Sequence, residues 1–269
     1  MWALTESVEL ADGVVRWQAY GHGTPTVLVH GTPYSSYLWR DMALALSRRG
    51  RRVFVFDHLG YGLSDKHEGQ DLSLAAQGRN FAQLLRTWQI ERPSVVACDI
   101  GGAIVLRALL LEGAAYTDLT LFDAVTGGQW ERGLFALIRE HHEVFEQLPG
   151  YAHKALVEAH LRNGTKQGYR PGVLETYLAP WLGPDGQAAF YRQYRQLSQA
   201  DTAEYERLLD NIDIPVTLLW GRDDRILPAD YGEWIEQRVE SRGLTWIDDA
   251  GHLLPEDAPS QLLERLTAS

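Results

Sequence analysis

Short apolar runs, closed by glycine, proline or charged residues, alternate along the first half of this chain with stretches whose apolar positions recur every three or four residues. Val14–Tyr20, Thr26–His30, Arg52–Phe56, Ser94–Cys98 and Leu119–Phe122 have the length and β-branched or aromatic content of strands. The intervening spacing predicts helices over Tyr37–Ser47, Leu72–Trp88 and Ala103–Leu111, the first running out in basic residues and Gly50. Strands that are nearly continuously apolar are buried on both faces, and their alternation with helices predicts an α/β fold with a mostly parallel central sheet flanked by helices.

The pattern then changes. From residue 127 to 210 the strand-like runs vanish and the chain becomes helical, aromatic and charged, divided by Pro149-Gly150, Gly164, Pro171-Gly172 and Gly183-Pro184-Asp185-Gly186. The sheet pattern resumes at Pro215–Trp220, followed by a predicted helix over Asp230–Glu240, a strand over Leu244–Ile247 and a last helix over Ala258–Leu266. The expected organisation is therefore a core domain made of residues 1–126 and 211–269, with residues 127–210 forming a helical cap, or lid. Such an insertion is placed to cover the carboxyl ends of the strands, where open α/β sheets bind ligands.

Composition narrows the class. With 269 residues and 45% hydrophobic content the chain can bury a large core. Twenty-five basic against 36 acidic residues leave a formal charge of −11, which lacks the electrostatic footprint of a nucleic-acid binder. A single cysteine, Cys98, excludes an internal disulfide framework. No secretory-type leader and no run approaching a membrane span is visible, so the expectation is a cytoplasmic protein that acts on a small molecule, as a monomer or homodimer, away from the membrane. No G-x-G-x-x-G follows a first strand and no metal-ligand spacing stands out, so neither cofactor nor metal is expected.

Three loops carry candidate chemistry. In Val95–Ala103 a strand runs straight into a helix across Asp99, with small Ala97 and Gly101 two residues to either side. This is the spacing of a nucleophile elbow, G-x-S-x-G, with aspartate in place of serine. A helix cap is the structural alternative for Asp99; Cys98, beside it, is the rival nucleophile by residue type, and is expected to be buried. His30-Gly31-Thr32-Pro33 forms a turn after a buried strand, and its Thr32 N–H, paired with that of Ile100, can make an oxyanion hole. Late in the chain, Trp220–Pro228 supplies acidic residues and Ala250-Gly251-His252 a loop histidine, in the order nucleophile, acid, histidine. His30 and His58 read as turn architecture, and His141-His142 have no matching ligand cluster.

With these motifs in place, the chain resembles the α/β-hydrolase superfamily over essentially its whole length, and within it the aspartate-nucleophile branch of haloalkane dehalogenases and epoxide hydrolases. His30–Arg40 looks like the oxyanion-turn segment of the dehalogenases, and Phe56–Asp65 is similar to the superfamily's D-x-x-G-x-G-x-S-D loop. Trp220–Asp224 matches its G-x-x-D acid motif, which selects Asp224 over Asp223; Asp123 is the reserve, at the position some dehalogenases use. The resemblance implies attack by Asp99 on an electrophilic carbon, then hydrolysis of the alkyl ester by a water that His252, held by Asp224, activates.

The departures bear on the substrate. Dehalogenases hold the halide with a Trp after the nucleophile and often an Asn after the His-Gly pair; here those positions are Ile100 and Thr32. Epoxide hydrolases instead protonate the leaving oxygen with lid tyrosines, for which Tyr151, Tyr169, Tyr177, Tyr191, Tyr194 and Tyr205 form the pool, with Tyr177 and Tyr191 favoured by placement. The expected function is hydrolysis of a small hydrophobic epoxide or related electrophile. The alternatives are a haloalkane dehalogenase with an atypical halide site, an esterase or lactonase, a non-hydrolytic enzyme on this fold, and a non-catalytic binding protein.

Overall fold

The computed structural model describes residues 2–267; Met1, Ala268 and Ser269, the outermost residues of the expected core, lie outside the described residues. Eight strands form one sheet: β1 (Glu6–Leu10), β2 (Gly13–Tyr20), β3 (Thr24–Val29), β4 (Arg51–Phe56), β5 (Ser94–Asp99), β6 (Asp118–Ala124), β7 (Val216–Gly221) and β8 (Ser241–Ile247). Their spatial order is β1-β2-β4-β3-β5-β6-β7-β8, with β2 antiparallel to both its neighbours, β1 and β4, and every other neighbouring pair parallel. The most central strand, β5, is buried at all six positions, as its continuous apolar sequence requires.

Helices α1 (Arg40–Ser47), α2 (Leu74–Thr87) and α3 (Ile100–Leu111) follow their strands. Ser73 begins α2 two residues later than the apolar spacing suggests, because its hydroxyl accepts from the Ala76 N–H and caps the helix. Strand β1 was not anticipated: it is a short edge strand in which only Val8 and Leu10 turn inward, too brief a pattern to stand out. Helix α3 starts three residues earlier than expected, directly after Asp99, since no loop separates it from β5.

A helical insertion lies between β6 and β7. It comprises α4 (Gly133–Glu140), α5 (His142–Glu146), α6 (Gly150–Asn163), α7 (Val173–Leu178), α8 (Gly183–Gln196) and α9 (Gln199–Glu206). The core closes with α10 (Ala229–Glu236), α11 (Leu254–Asp257) and α12 (Pro259–Thr267). Lid and core are tied near the strand ends by buried polar contacts. The Trp181 indole N–H donates to the Pro33 carbonyl at 2.8 Å, and the Gln193 Oε1 accepts from both the Thr32 hydroxyl (2.8 Å) and the Tyr61 hydroxyl (2.6 Å). Among the described residues no helix is long and apolar enough to cross a membrane.

Candidate active site

Asp99 occupies the junction of β5 and α3 with φ 49° and ψ −135°, a conformation that L residues adopt only where surrounding packing enforces it. The enforcement is visible in its glycine neighbours. A Cβ on Gly31 would lie 2.3 Å from the Asp99 Cβ and Oδ1, and one on Gly101 would lie 2.8 Å from the His30 carbonyl oxygen. Only glycine lets the turn after β3 press against the carboxylate from one side while α3 starts on the other. The result lifts the Asp99 side chain beyond the sheet edge, where the Thr32 N–H donates to Oδ1 at 2.6 Å.

His252 arrives on the loop after β8. Its Nδ1 is 2.9 Å from Asp224 Oδ2, and its Nε2 is 3.3 Å from Asp99 Oδ2. The Asp224 carboxylate is fixed in turn, with Oδ1 accepting from the N–H groups of Ile226 (2.7 Å) and Leu227 (2.9 Å). Asp99, His252 and Asp224 are all buried and form a nucleophile–base–acid triad. The distance at Nε2 suits an ion pair, yet the N–H is not aligned for a hydrogen bond. The ring edge is thus left available to a third group. Burial lowers the His252 pKa, but the Asp224 and Asp99 carboxylates outweigh it and hold it well above the ordinary value.

Asp123, the reserve acid, sits behind this triad. It is fully buried, has φ 43°, and its Oδ1 accepts from the Gly221 N–H at 2.8 Å while Oδ2 has no partner. Burial and the adjacent Asp224 carboxylate drive its pKa well above the usual carboxylate range. The histidine is held by Asp224, with Asp123 packed beside that carboxylate.

The two favoured tyrosines are engaged elsewhere. Tyr177 donates to Glu256 Oε1 at 2.7 Å, joining a carboxylate that also forms a bidentate pair with Arg40 (2.7 and 2.8 Å). Tyr191 is 2.9 Å from His153 Nδ1, with burial pushing its hydroxyl up to about 12. None of Tyr177, Tyr191 and Tyr194 lines the cavity above Asp99; His160, the partner of Tyr194, does. Tyr194, three residues from Tyr191 in the same helix, points its hydroxyl to His160 Nε2 at 2.9 Å, beside the Thr32 side chain. Burial and the nearby Asp99 charge hold the Tyr194 hydroxyl protonated, and burial lowers His160 to about 4, so that imidazole is neutral.

His160 went unnoticed in the sequence, although it lies on the same stripe of α6 as buried His153, Val157 and Leu161. That stripe is the one signal that could have singled it out. His30 and His58 do shape the turn: the His58 N–H donates to His30 Nε2 at 3.1 Å, and His58 Nε2 meets the His30 carbonyl at 3.0 Å. Cys98 is buried with a thiol pKa driven up by burial, which makes it a poor nucleophile.

The triad opens onto a cavity of about 540 Å³ between the lid and the strand ends. Its floor includes Thr32, Asp99 and Ile100; Trp130, Phe135, Leu156 and Leu227 give it mainly apolar walls. The size and lining are those of a small-molecule site.

Comparison with known proteins agrees with this geometry. The model of the "Alpha/beta hydrolase family" matches residues 26–265. A crystal structure of an alpha/beta hydrolase fold protein from Burkholderia ambifaria is 41% identical, with a TM-score of 0.96 over 100% of this chain and 99% of that one. Haloalkane dehalogenase 2 of Mycobacterium bovis is 24% identical over 93% of this chain and 89% of its own. The solved epoxide hydrolase CorEH is 19% identical, with a TM-score of 0.76 over 98% and 96% of the two chains. This chain, with its buried Asp99-His252-Asp224 triad, belongs to the alpha/beta hydrolase family.

Proposed function

We infer that this enzyme opens small hydrophobic epoxides through an ester on Asp99 and releases the vicinal diol. The observation that carries this reading is the contact of Tyr194 with His160 beside the nucleophile. An epoxide oxygen becomes strongly basic as its C–O bond breaks, and a protonated phenol is matched to receive that demand. A departing halide needs hydrogen-bond donors and no proton. Ile100 has no side-chain donor, and the Thr32 hydroxyl is already committed to Gln193.

In this mechanism Oδ1 of Asp99 is held by the Thr32 N–H, leaving Oδ2 to attack the epoxide carbon. The C–O bond breaks as the new C–O bond forms, and the Tyr194 proton passes to the leaving oxygen, with His160 supporting the phenolate. Alkylation removes the negative charge of Asp99, one of the two carboxylates that keep His252 protonated. His252 then yields its proton, through solvent, to the Tyr194 phenolate and becomes a competent base. It takes a proton from water attacking the Asp99 carboxyl carbon, while the Thr32 and Ile100 N–H groups receive the developing oxyanion. Collapse breaks the acyl–oxygen bond, the proton on His252 goes to the departing diol, and the Asp99 carboxylic acid then returns its proton to His252, which restores the starting pair.

A single-turnover reaction in ¹⁸O-water with enzyme in excess over styrene oxide tests the reading. The product should carry no label and the peptide containing Asp99 should gain one ¹⁸O; label in the diol with none in Asp99 would contradict it.

A further inference from the structure

Asp99 on the floor is the one carboxylate among the described lining residues of the catalytic cavity, yet two guanidinium groups stand at its mouth. Arg132 comes from the start of the lid and Arg225 from the core loop, directly after the triad acid. Arg225 is exposed and, among the described residues, has neither a hydrogen bond nor an ion pair. Arg132 makes a 3.1 Å pair with Asp230 in which both side chains are more than half exposed, and its guanidinium lies 4.8 Å from the centre of the Tyr231 ring. An exposed pair of that kind is weak and readily exchanged for another anion.

The placement runs against the rest of the molecule. A chain with formal charge −11 repels anions at a distance. Most of its other cavity-facing surface is apolar, and an unsatisfied cation gains nothing from that surroundings. Two planar, permanently charged groups that line one cavity, one from the lid and one from the core, offer a receptor for a carboxylate or similar oxyanion, which guanidinium groups bind in a bidentate manner.

Taking the cavity to be the epoxide site proposed above, the geometry points to a substrate with two ends. An apolar body carrying the epoxide lies against Trp130, Phe135 and Leu227, and an anionic group, a carboxylate, is held at the mouth between Arg132 and Arg225. The arginines then fix which end enters first, and so present the electrophilic carbon to Asp99.

Equilibrium binding separates this inference from the chemistry. Titration calorimetry at low ionic strength would compare 4-phenylbutyrate with its neutral amide on the intact enzyme, Arg225→Gln and the Arg132→Gln/Arg225→Gln double variant. The wild type should bind the carboxylate at least about ten-fold more tightly than the amide, with the preference shrinking as salt is added. It should fall sharply in Arg225→Gln and vanish in the double variant, while amide binding reports that the cavity is still folded. No binding of the carboxylate, equal affinities in the wild type, or a preference that survives the double variant would overturn the inference.

A second arm compares turnover of 4-(oxiran-2-yl)benzoate with that of its methyl ester. Turnover of neither, with carboxylate binding intact, would sink the epoxide reading alone. Equal kcat/KM for both, with no binding preference, would sink the arginine inference alone.

Discussion

Nε2 of His252 stands 3.3 Å from Oδ2 of Asp99, near enough to feel its charge but turned out of line for a hydrogen bond. The same ring is held through Nδ1 by Asp224. One carboxylate thus fixes the imidazole permanently, and the other influences its proton only while it remains charged. This makes the basicity of His252 respond to the state of the nucleophile.

The first consequence is measurable without substrate. In Asp99→Asn the raising influence of Asp99 disappears while that of Asp224 and the lowering effect of burial remain. The His252 pKa should fall relative to the wild type. Heteronuclear NMR titration of the imidazole nitrogens checks this; an unchanged or higher value would show that the two residues are not coupled.

Tyr194 and Tyr177 should separate by phenotype. Tyr194→Phe removes the proposed proton donor and should lower kcat for epoxide opening by about 10²- to 10⁴-fold, with little change in melting temperature. Tyr177→Phe removes the hydroxyl bonded to Glu256 and should cost stability, about 1 kcal/mol, while sparing most of kcat. Steady-state kinetics and thermal melts on the two variants provide the comparison.

Gly31→Ala is a severe test of the elbow. Its Cβ would need to occupy space 2.3 Å from the Asp99 Cβ and Oδ1, so either the turn or the carboxylate must move. Activity should fall by at least about 100-fold, since the N–H of Thr32 moves with the turn. A crystal structure of the variant would show Asp99 displaced from Thr32.

Asp123 has a pH signature with a definite sign. Its folded pKa is raised, so its contribution to stability is fully present below the ordinary carboxylate pKa of about 3.9 and is lost as pH climbs toward the folded value. Asp123→Asn keeps an acceptor for the Gly221 N–H and carries no titrating proton. The melting temperature of this variant should gain on the wild type as pH rises from about 4 through neutrality. A parallel pair of melting curves would argue against a raised Asp123 pKa.

How much of this was visible beforehand follows from which features are local. The elbow is a five-residue pattern around Asp99, and the acid and histidine each close a strand, so the triad could be read from the sequence; so could the alternation that makes the sheet. The lid donor could not. Tyr177, Tyr191 and Tyr194 all lie in buried parts of lid helices, and composition does not say that the first meets Glu256, the second His153 and the third His160. Those partners lie 79, 38 and 34 residues away and are set by how helices pack. The state of Asp123 was hidden for the same reason, since its neighbour Asp224 is brought to it only by the adjacency of β6 and β7.

The central claim is covalent chemistry at Asp99, and the most direct measurement is the intact mass of His252→Gln after incubation with panels of epoxides, haloalkanes and activated esters. Without the base, the second step is blocked and the first should accumulate. The account predicts an adduct of the full mass of an epoxide, mapping to the peptide that contains Asp99. A folded His252→Gln protein that gains no mass from any panel, while the wild type turns the same compound over, would contradict it.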